Sequence, residues 1–131
     1  MLKLILTAYL LHCCPVVFAQ SSEPLRRPVA EVKPLLIEAI DTSGGEAHGR
    51  LTGELADAIS RQFQTSSPIN VDVTTLIRYA QEGCRRLSVL IWQENVHFRP
   101  GTAAARQSVE FGINYCRTGL PPRSLESAVQ P

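Results

Sequence analysis

Two segments of the chain alternate apolar and polar residues, and a cysteine stands at the outer end of each. This alternation is typical of half-buried β-strands. If Cys84 lies opposite Cys116 in an antiparallel pair, the numbers of facing residues add to 200. The facing pairs on one side of the hairpin are then all apolar: Leu87 with Ile113, Val89 with Phe111, and Ile91 with Val109. The apolar pattern and the cysteine positions therefore predict the same hairpin, closed by a Cys84–Cys116 disulfide.

The side of the hairpin on which this disulfide lies is left open by the sequence. Cys84 is even-numbered, which places it with Arg86 and Ser88 and not with the apolar residues. Either a bulge at Gly83 re-aims the sulfur, or the disulfide lies on the outer face.

The first nineteen residues have the pattern of a secretory signal peptide. Lys3 precedes the apolar run 4–18, and small side chains at Val17 and Ala19 suit cleavage after Ala19. A retained anchor and lipid attachment at Cys13 or Cys14 are the alternatives, but His12 is a poor residue to precede a lipidated cysteine. We therefore expect a periplasmic protein, or a secreted one, that loses Cys13 and Cys14 with the leader. In an exported chain the remaining two cysteines indicate one disulfide.

The charge of the chain restricts its partners. The sequence has 13 basic and 12 acidic residues, and the leader would remove Lys3. A balanced charge argues against nucleic acid or an anionic membrane as the main partner. We expect no nucleic-acid binding and no stable membrane anchor after cleavage.

Downstream of residues 1–19, we divide the chain into a flexible arm (20–34), a single domain (35–116) and a loose C-terminal tail (117–131). The run PLLIEAID (34–41) suits a strand, and the turn-rich DTSGGEAHG follows it. A helix is predicted from about Arg50 to Phe63, ending before Pro68; an earlier start would make Ser43 and Glu46 a capping box. Alternation over 69–79 predicts another strand, bending near its end.

The predicted fold class is α+β: a small antiparallel sheet of three or four strands, with one amphipathic helix packed on it and one disulfide. In this arrangement the apolar helix residues meet the apolar face of the sheet. The expected contacts join Leu55, Ile59 and Phe63 to Val71, Val73, Val89, Phe111 and Ile113.

Leu90 and Trp92 form a candidate binding patch. The hairpin register places both on the face opposite Val89 and Ile91, near Ser108 and Glu110. A large apolar pair on a polar face is typical of a contact surface. The alternative is that another strand or one of the terminal segments covers it.

No motif identifies a reaction. Asp41-Thr42-Ser43-Gly44 lacks the glycine that aspartic proteases place directly after the hydroxyl residue, and no G-x-S-x-G elbow occurs. The histidines after the leader, His48 and His97, lie in no metal-ligand cluster. We predict no catalytic residue, metal or cofactor; an enzyme would need a pocket that unites groups such as His48, Asp41 or Glu110.

Three stretches carry a resemblance to a known group of proteins. They are LTGELA (51–56), NVDVTTLIRYAQEGCRRLSV (70–89) and FGINYCRTGLPPRSLE (111–126), and they include both Cys84 and Cys116. Together they resemble small exported proteins encoded in the conjugative-transfer and integrating-element gene clusters of proteobacteria. The resemblance implies a periplasmic accessory of a type IV secretion or mating-pair apparatus, whose partners are envelope proteins such as secretion-channel or pilus components. It implies no catalytic residues.

The expected function is therefore that of a non-enzymatic periplasmic interaction protein, which docks through a sheet edge or the Trp92 face. Two alternatives come from other classes: a secreted effector or inhibitor that binds a foreign protein, and a small periplasmic enzyme.

Overall fold

The computed structural model of the chain describes residues 22–129, so the predicted signal peptide with Cys13 and Cys14 lies outside the described residues. The elements of this range follow the order β1 (Arg27–Val29), α1 (Lys33–Asp41), β2 (Glu46–Leu51), α2 (Glu54–Gln62), β3 (Ile69–Arg78), β4 (Cys84–Val96) and β5 (Ala105–Cys116).

One five-stranded sheet organises the described residues, in the order β1-β2-β3-β4-β5. The short β1 runs parallel to β2, with α1 as the crossover, and the other neighbours are antiparallel. The α+β class and the disulfide are confirmed. The predicted counts of three or four strands and one helix are too low, since the sheet has five strands and two helices accompany it.

The core lies between α1 and one face of the sheet. Lys33–Asp41 is a helix and not the predicted strand, with Pro34 in its first turn, where a missing N–H costs nothing. The buried α1 residues recur at helical spacing and share one side: Leu35, Leu36, Ala39 and Ile40. They pack against the buried apolar residues of the strands, chiefly Val71, Val73, Leu87 and Val89. We call this the inner face of the sheet, and the opposite one the outer face.

The second helix contributes little to this core. Only Ala56 of α2 is buried, and Leu55 is 70% exposed. The predicted packing of Leu55 against the strand valines is therefore wrong, because α1 already occupies that face. Ile59 and Phe63 instead line an apolar groove beside Ile91.

The start of α2 also differs from the prediction. The helix begins at Glu54 because β2 runs as far as Leu51. The capping box of Ser43 and Glu46 does not form, since Glu46 is the first residue of β2. The connection between α1 and β2 is shorter than predicted and turns at Gly45, whose φ is +71° and at which a Cβ would lie 2.9 Å from Thr75 Oγ1.

The predicted hairpin register is confirmed. Cys84 pairs with Cys116, and the predicted apolar pairs Leu87–Ile113, Val89–Phe111 and Ile91–Val109 face each other. The disulfide joins Cys84 to Cys116. The register runs without a break from Cys84 to Gln93, so Cys84 lies on the face opposite Leu87 and Val89. Of the two alternatives, a bulge at Gly83 or a disulfide on the outer face, the structure has the second.

A bulge does occur, but in β3 and not at Gly83. The β3–β4 register shifts between Thr75 and Ile77, which moves the residues beyond it to the other face. Tyr79 therefore joins Cys84 and Cys116 in a small buried cluster, separate from the core.

The two segments predicted as arm and tail both contact the domain. Residues 27–29, within the predicted arm, form β1 and pair with β2. In the predicted tail, Ser127 makes a β-bridge with Tyr79, and the Ala80 N–H donates to the Glu126 carbonyl at 2.7 Å. None of the helices within residues 22–129 has the length and apolar character needed to cross a membrane.

Candidate functional site: the Trp92 groove

Trp92 lies on the outer face of the sheet, between two arginine side chains. It stands opposite Asn70 on β3 and opposite Ser108 on β5. The guanidinium carbons of Arg106 and Arg26 lie 4.2 Å and 5.2 Å from the ring centroid, which is cation–π distance. The ring is consequently held in place while part of it stays exposed.

Asp72 is the hydrogen-bonding centre beneath this ring. It accepts from Trp92 Nε1 at 2.8 Å and from Arg26 Nη1 at 2.7 Å, and its Oδ1 lies 2.6 Å from His48 Nδ1. Burial alone would raise the pKa of Asp72, but the hydrogen bonds from Arg26, His48 and Trp92 hold it below its ordinary value. Asp72 is thus a carboxylate at neutral pH and fixes the orientation of Trp92.

A groove of about 590 Å³ opens beside Trp92, and we call it the Trp92 groove. Segment 23–26 forms one of its sides. Its other lining residues come from β2, the α2–β3 connection, β3, β4 and β5: Arg50, Ser67, Pro68, Asn70, Trp92, Glu94, Asn95 and Arg106. Arg50 is exposed and makes none of the side-chain hydrogen bonds or ion pairs found within residues 22–129, so its charge is available at the rim.

Two buried polar atoms of the groove residues lack a hydrogen-bond partner within the described part of the chain. They are Asn70 Oδ1, which can only accept, and Arg26 Nε, which can only donate. Asn70 is 4% exposed, and the Arg26 side chain 9%. Buried polar atoms are normally paired, so hydrogen bonding among the groove residues is incomplete at these two atoms.

The structure places the two predicted patch residues, Leu90 and Trp92, on the outer face, and both are half-buried. Glu110, predicted to lie near them, accepts from the Ser88 hydroxyl at 2.6 Å. Trp92 lines the groove together with Arg26 and Arg106, and Asp72 fixes its orientation; the sequence singled out none of these three residues.

The three groups named for an enzymatic alternative lie in separate places. His48 contacts Asp72, Asp41 forms an ion pair with Arg117, and Glu110 binds Ser88. Among residues 22–129, no three His, Cys, Asp or Glu side chains are grouped so that they could hold a metal ion.

An indole framed by two arginines can bind an extended polypeptide by stacking. Comparison of the chain with protein-family models, curated proteins and solved structures found no match.

Proposed function

We propose that the chain is a non-enzymatic interaction protein of the periplasm that serves a conjugative-transfer or type IV secretion apparatus. It docks on an extended segment of an envelope protein through the Trp92 groove. The observation that carries this proposal is the half-buried Trp92, held between Arg26 and Arg106 beside the unpaired Asn70 Oδ1.

The chemistry of the groove favours a peptide as its ligand. Every peptide unit other than proline offers one N–H and one carbonyl oxygen, which are the partners that Asn70 Oδ1 and Arg26 Nε lack. Trp and Arg are the residue types that most often dominate binding energy at protein interfaces. Because Asp72 already fixes Trp92, little side-chain entropy would be lost when a partner binds.

The sequence supports the two remaining parts of the proposal, the periplasmic location and the transfer apparatus. The predicted leader directs the chain to the periplasm, and the Cys84–Cys116 disulfide is of a kind that persists in such an oxidising compartment. The resemblance of residues 51–56, 70–89 and 111–126 to exported proteins of transfer clusters supports the choice of apparatus.

The test is a cross-linked pull-down of the tagged protein from its native cell envelope. We expect secretion-channel or pilus components to be recovered with the unmodified protein and lost with Trp92→Ala. Arg50→Glu should give the same loss without disturbing the packing of Trp92, since Arg50 is exposed. Arg99→Glu, which also reverses an exposed arginine but does not line the groove, should retain the partners.

Two outcomes contradict the proposal. Recovery that is unchanged in both Trp92→Ala and Arg50→Glu would show that the groove is not the docking site. A protein found mainly in the culture fluid, without envelope partners, would favour the effector or inhibitor alternative.

A further inference from the structure

Strand β5 is a long, exposed edge strand of the sheet. It covers Ala105–Cys116, 12 residues, and within the described residues no strand lies beyond it. The opposite edge, β1, has only 3 residues and contains Pro28. Short edges and proline are common devices against edge-to-edge association. The edge of β5 has neither, so it can accept another strand.

The backbone groups that β5 offers at this edge follow from its hydrogen bonds. The Arg117 N–H donates to the Gly83 carbonyl at 2.8 Å, in continuation of the β4–β5 ladder, whereas the Cys116 N–H donates to Leu120 at 3.1 Å. Because N–H and C=O groups alternate in direction along an antiparallel strand, the odd-numbered residues of β5 bond to β4. The even-numbered residues from Ser108 to Asn114 direct both groups to the open edge.

The inner face of β5 is apolar and only partly covered by α1. Val109 is 56% exposed and Phe111 45%, and Ile113 beside them is half-buried. If β5 pairs in antiparallel orientation with β5 of a second copy, centred on Phe111, the two Phe111 rings lie opposite each other. Val109 of each copy then lies opposite Ile113 of the other. These would be non-hydrogen-bonded pairs, in which side chains approach most closely.

The same register brings opposite charges together on the outer face. Glu110 of each copy lies opposite Gly112 of the other. The Arg86 guanidinium covers Gly112, since a Cβ built there would lie 2.6 Å from Arg86 Nη2. Glu110 accepts from the Ser88 hydroxyl through Oε1, and in this register its Oε2 meets the Arg86 side chain of the other copy, twice by symmetry. A register centred on Glu110 would instead oppose two carboxylates, and one centred on Val109 would oppose Phe111 to Gln107.

We propose that the protein forms a homodimer by antiparallel pairing of β5 with β5 of a second copy, centred on Phe111. The two five-stranded sheets then become one continuous sheet with both α1 helices on the same face. This interface uses the edge of the sheet, whereas the Trp92 groove lies on its outer face, so the proposal does not depend on the proposed function.

The test combines the solution mass of the full chain with cysteine cross-linking that reads the register. We expect a dimer by light scattering, and a covalent dimer of Phe111→Cys under mild oxidation. Val109→Cys should not cross-link, because position 109 of one copy faces position 113 of the other, four residues away from the second introduced cysteine. The double variant Val109→Cys/Ile113→Cys should cross-link again.

A charge-reversal series tests the complementarity. Glu110→Arg should convert the dimer to a monomer, the double variant Glu110→Arg/Arg86→Glu should restore it, and Glu31→Arg, an exposed control outside β5, should leave it unchanged. A monomeric mass of the unmodified protein at every accessible concentration would overturn the proposal. So would a dimer that cross-links through Val109→Cys and not through Phe111→Cys.

Discussion

Trp92 donates its indole N–H to Asp72 at 2.8 Å, and this bond joins β4 to β3 across the outer face of the sheet. Asp72 also accepts from Arg26, which belongs to the segment that precedes β1. A single carboxylate thus fixes both the indole that forms the groove and one of the arginines beside that indole. Asp72 is a positioning residue of the Trp92 groove.

Asp72→Asn should loosen Trp92 and destabilise the fold. An amide accepts fewer hydrogen bonds than a carboxylate and turns an N–H₂ group toward donors, and hydrogen bonds to charged groups contribute about 1.5–3 kcal/mol. We expect a loss of about 1–2 kcal/mol in unfolding free energy, because the site is only partly buried. Urea unfolding followed by fluorescence measures it directly, since Trp92 is the only tryptophan. Asp57→Asn, on the exposed side of α2, is the matched control.

The stability difference between the unmodified protein and Asp72→Asn should depend on pH in a defined direction. The pKa of Asp72 is lowered in the folded state from its ordinary value of 3.8, so the unfolded chain binds the proton first as the pH falls. Its contribution to stability is fully present well above pH 3.8 and is lost as the pH falls through the folded pKa. The stability gap between the unmodified protein and Asp72→Asn should therefore narrow below that pH. A gap that widens in acid would contradict this assignment.

Leu35→Ala should destabilise the protein far more than Leu55→Ala. Leu35 is fully buried in α1, whereas Leu55 in α2 is mostly exposed. Truncating a buried leucine costs about 2–5 kcal/mol, and surface substitutions usually fall within about 0.5 kcal/mol. Chemical denaturation of the two variants checks which helix closes the core. Equal losses would mean that α2 also packs on the sheet.

Gly49→Ala should be destabilising although Gly49 lies within a strand. A Cβ at Gly49 would approach Leu35 Cδ1 to 2.6 Å, and because Leu35 is fully buried, its side chain would have to shift within the core. Overpacking of this kind costs about 1–3 kcal/mol. Gly44→Ala is the matched control, because nothing lies within 4 Å of its Cβ position. A thermal melt that leaves both variants equal to the unmodified protein would contradict the close packing of α1 on β2.

Removing the disulfide should cost a large part of the stability but leave the register intact. The Cys84–Cys116 bond spans 32 residues, for which chain entropy predicts about 3–4 kcal/mol. We expect Cys84→Ala/Cys116→Ala to lose about that much by urea unfolding. Dithiothreitol should destabilise the unmodified protein and have no effect on the double variant. An effect of the reductant on the double variant would show that it acts elsewhere.

The hairpin was predictable from sequence because its information is local and redundant. Strand alternation and the positions of Cys84 and Cys116 give the same register independently. The strand predicted for segment 34–41 is wrong, because a short apolar run fits a buried strand as well as a helix. This segment is a helix because it packs on the inner face of β2–β4, and that surface exists only once the sheet has assembled.

The Trp92 groove was predictable only in part, because it too depends on contacts between segments that are distant in the sequence. The hairpin register placed Leu90 and Trp92 on one face, but it could not place Arg26, whose bond to Asp72 spans 46 residues. The β1–β2 pairing brings the segment that carries Arg26 to the outer face. Nothing local to residues 20–34 indicates that pairing, because β1 contributes only three residues.

The most direct test of the docking proposal is site-specific photo-cross-linking in the native cell envelope. A photoreactive amino acid at position 50, on the rim of the Trp92 groove, is compared with the same probe at position 99, which is exposed but outside the groove. We predict covalent adducts with a component of the secretion channel or pilus from position 50 and none from position 99. Adducts equally abundant from both positions, or none from position 50, would contradict it.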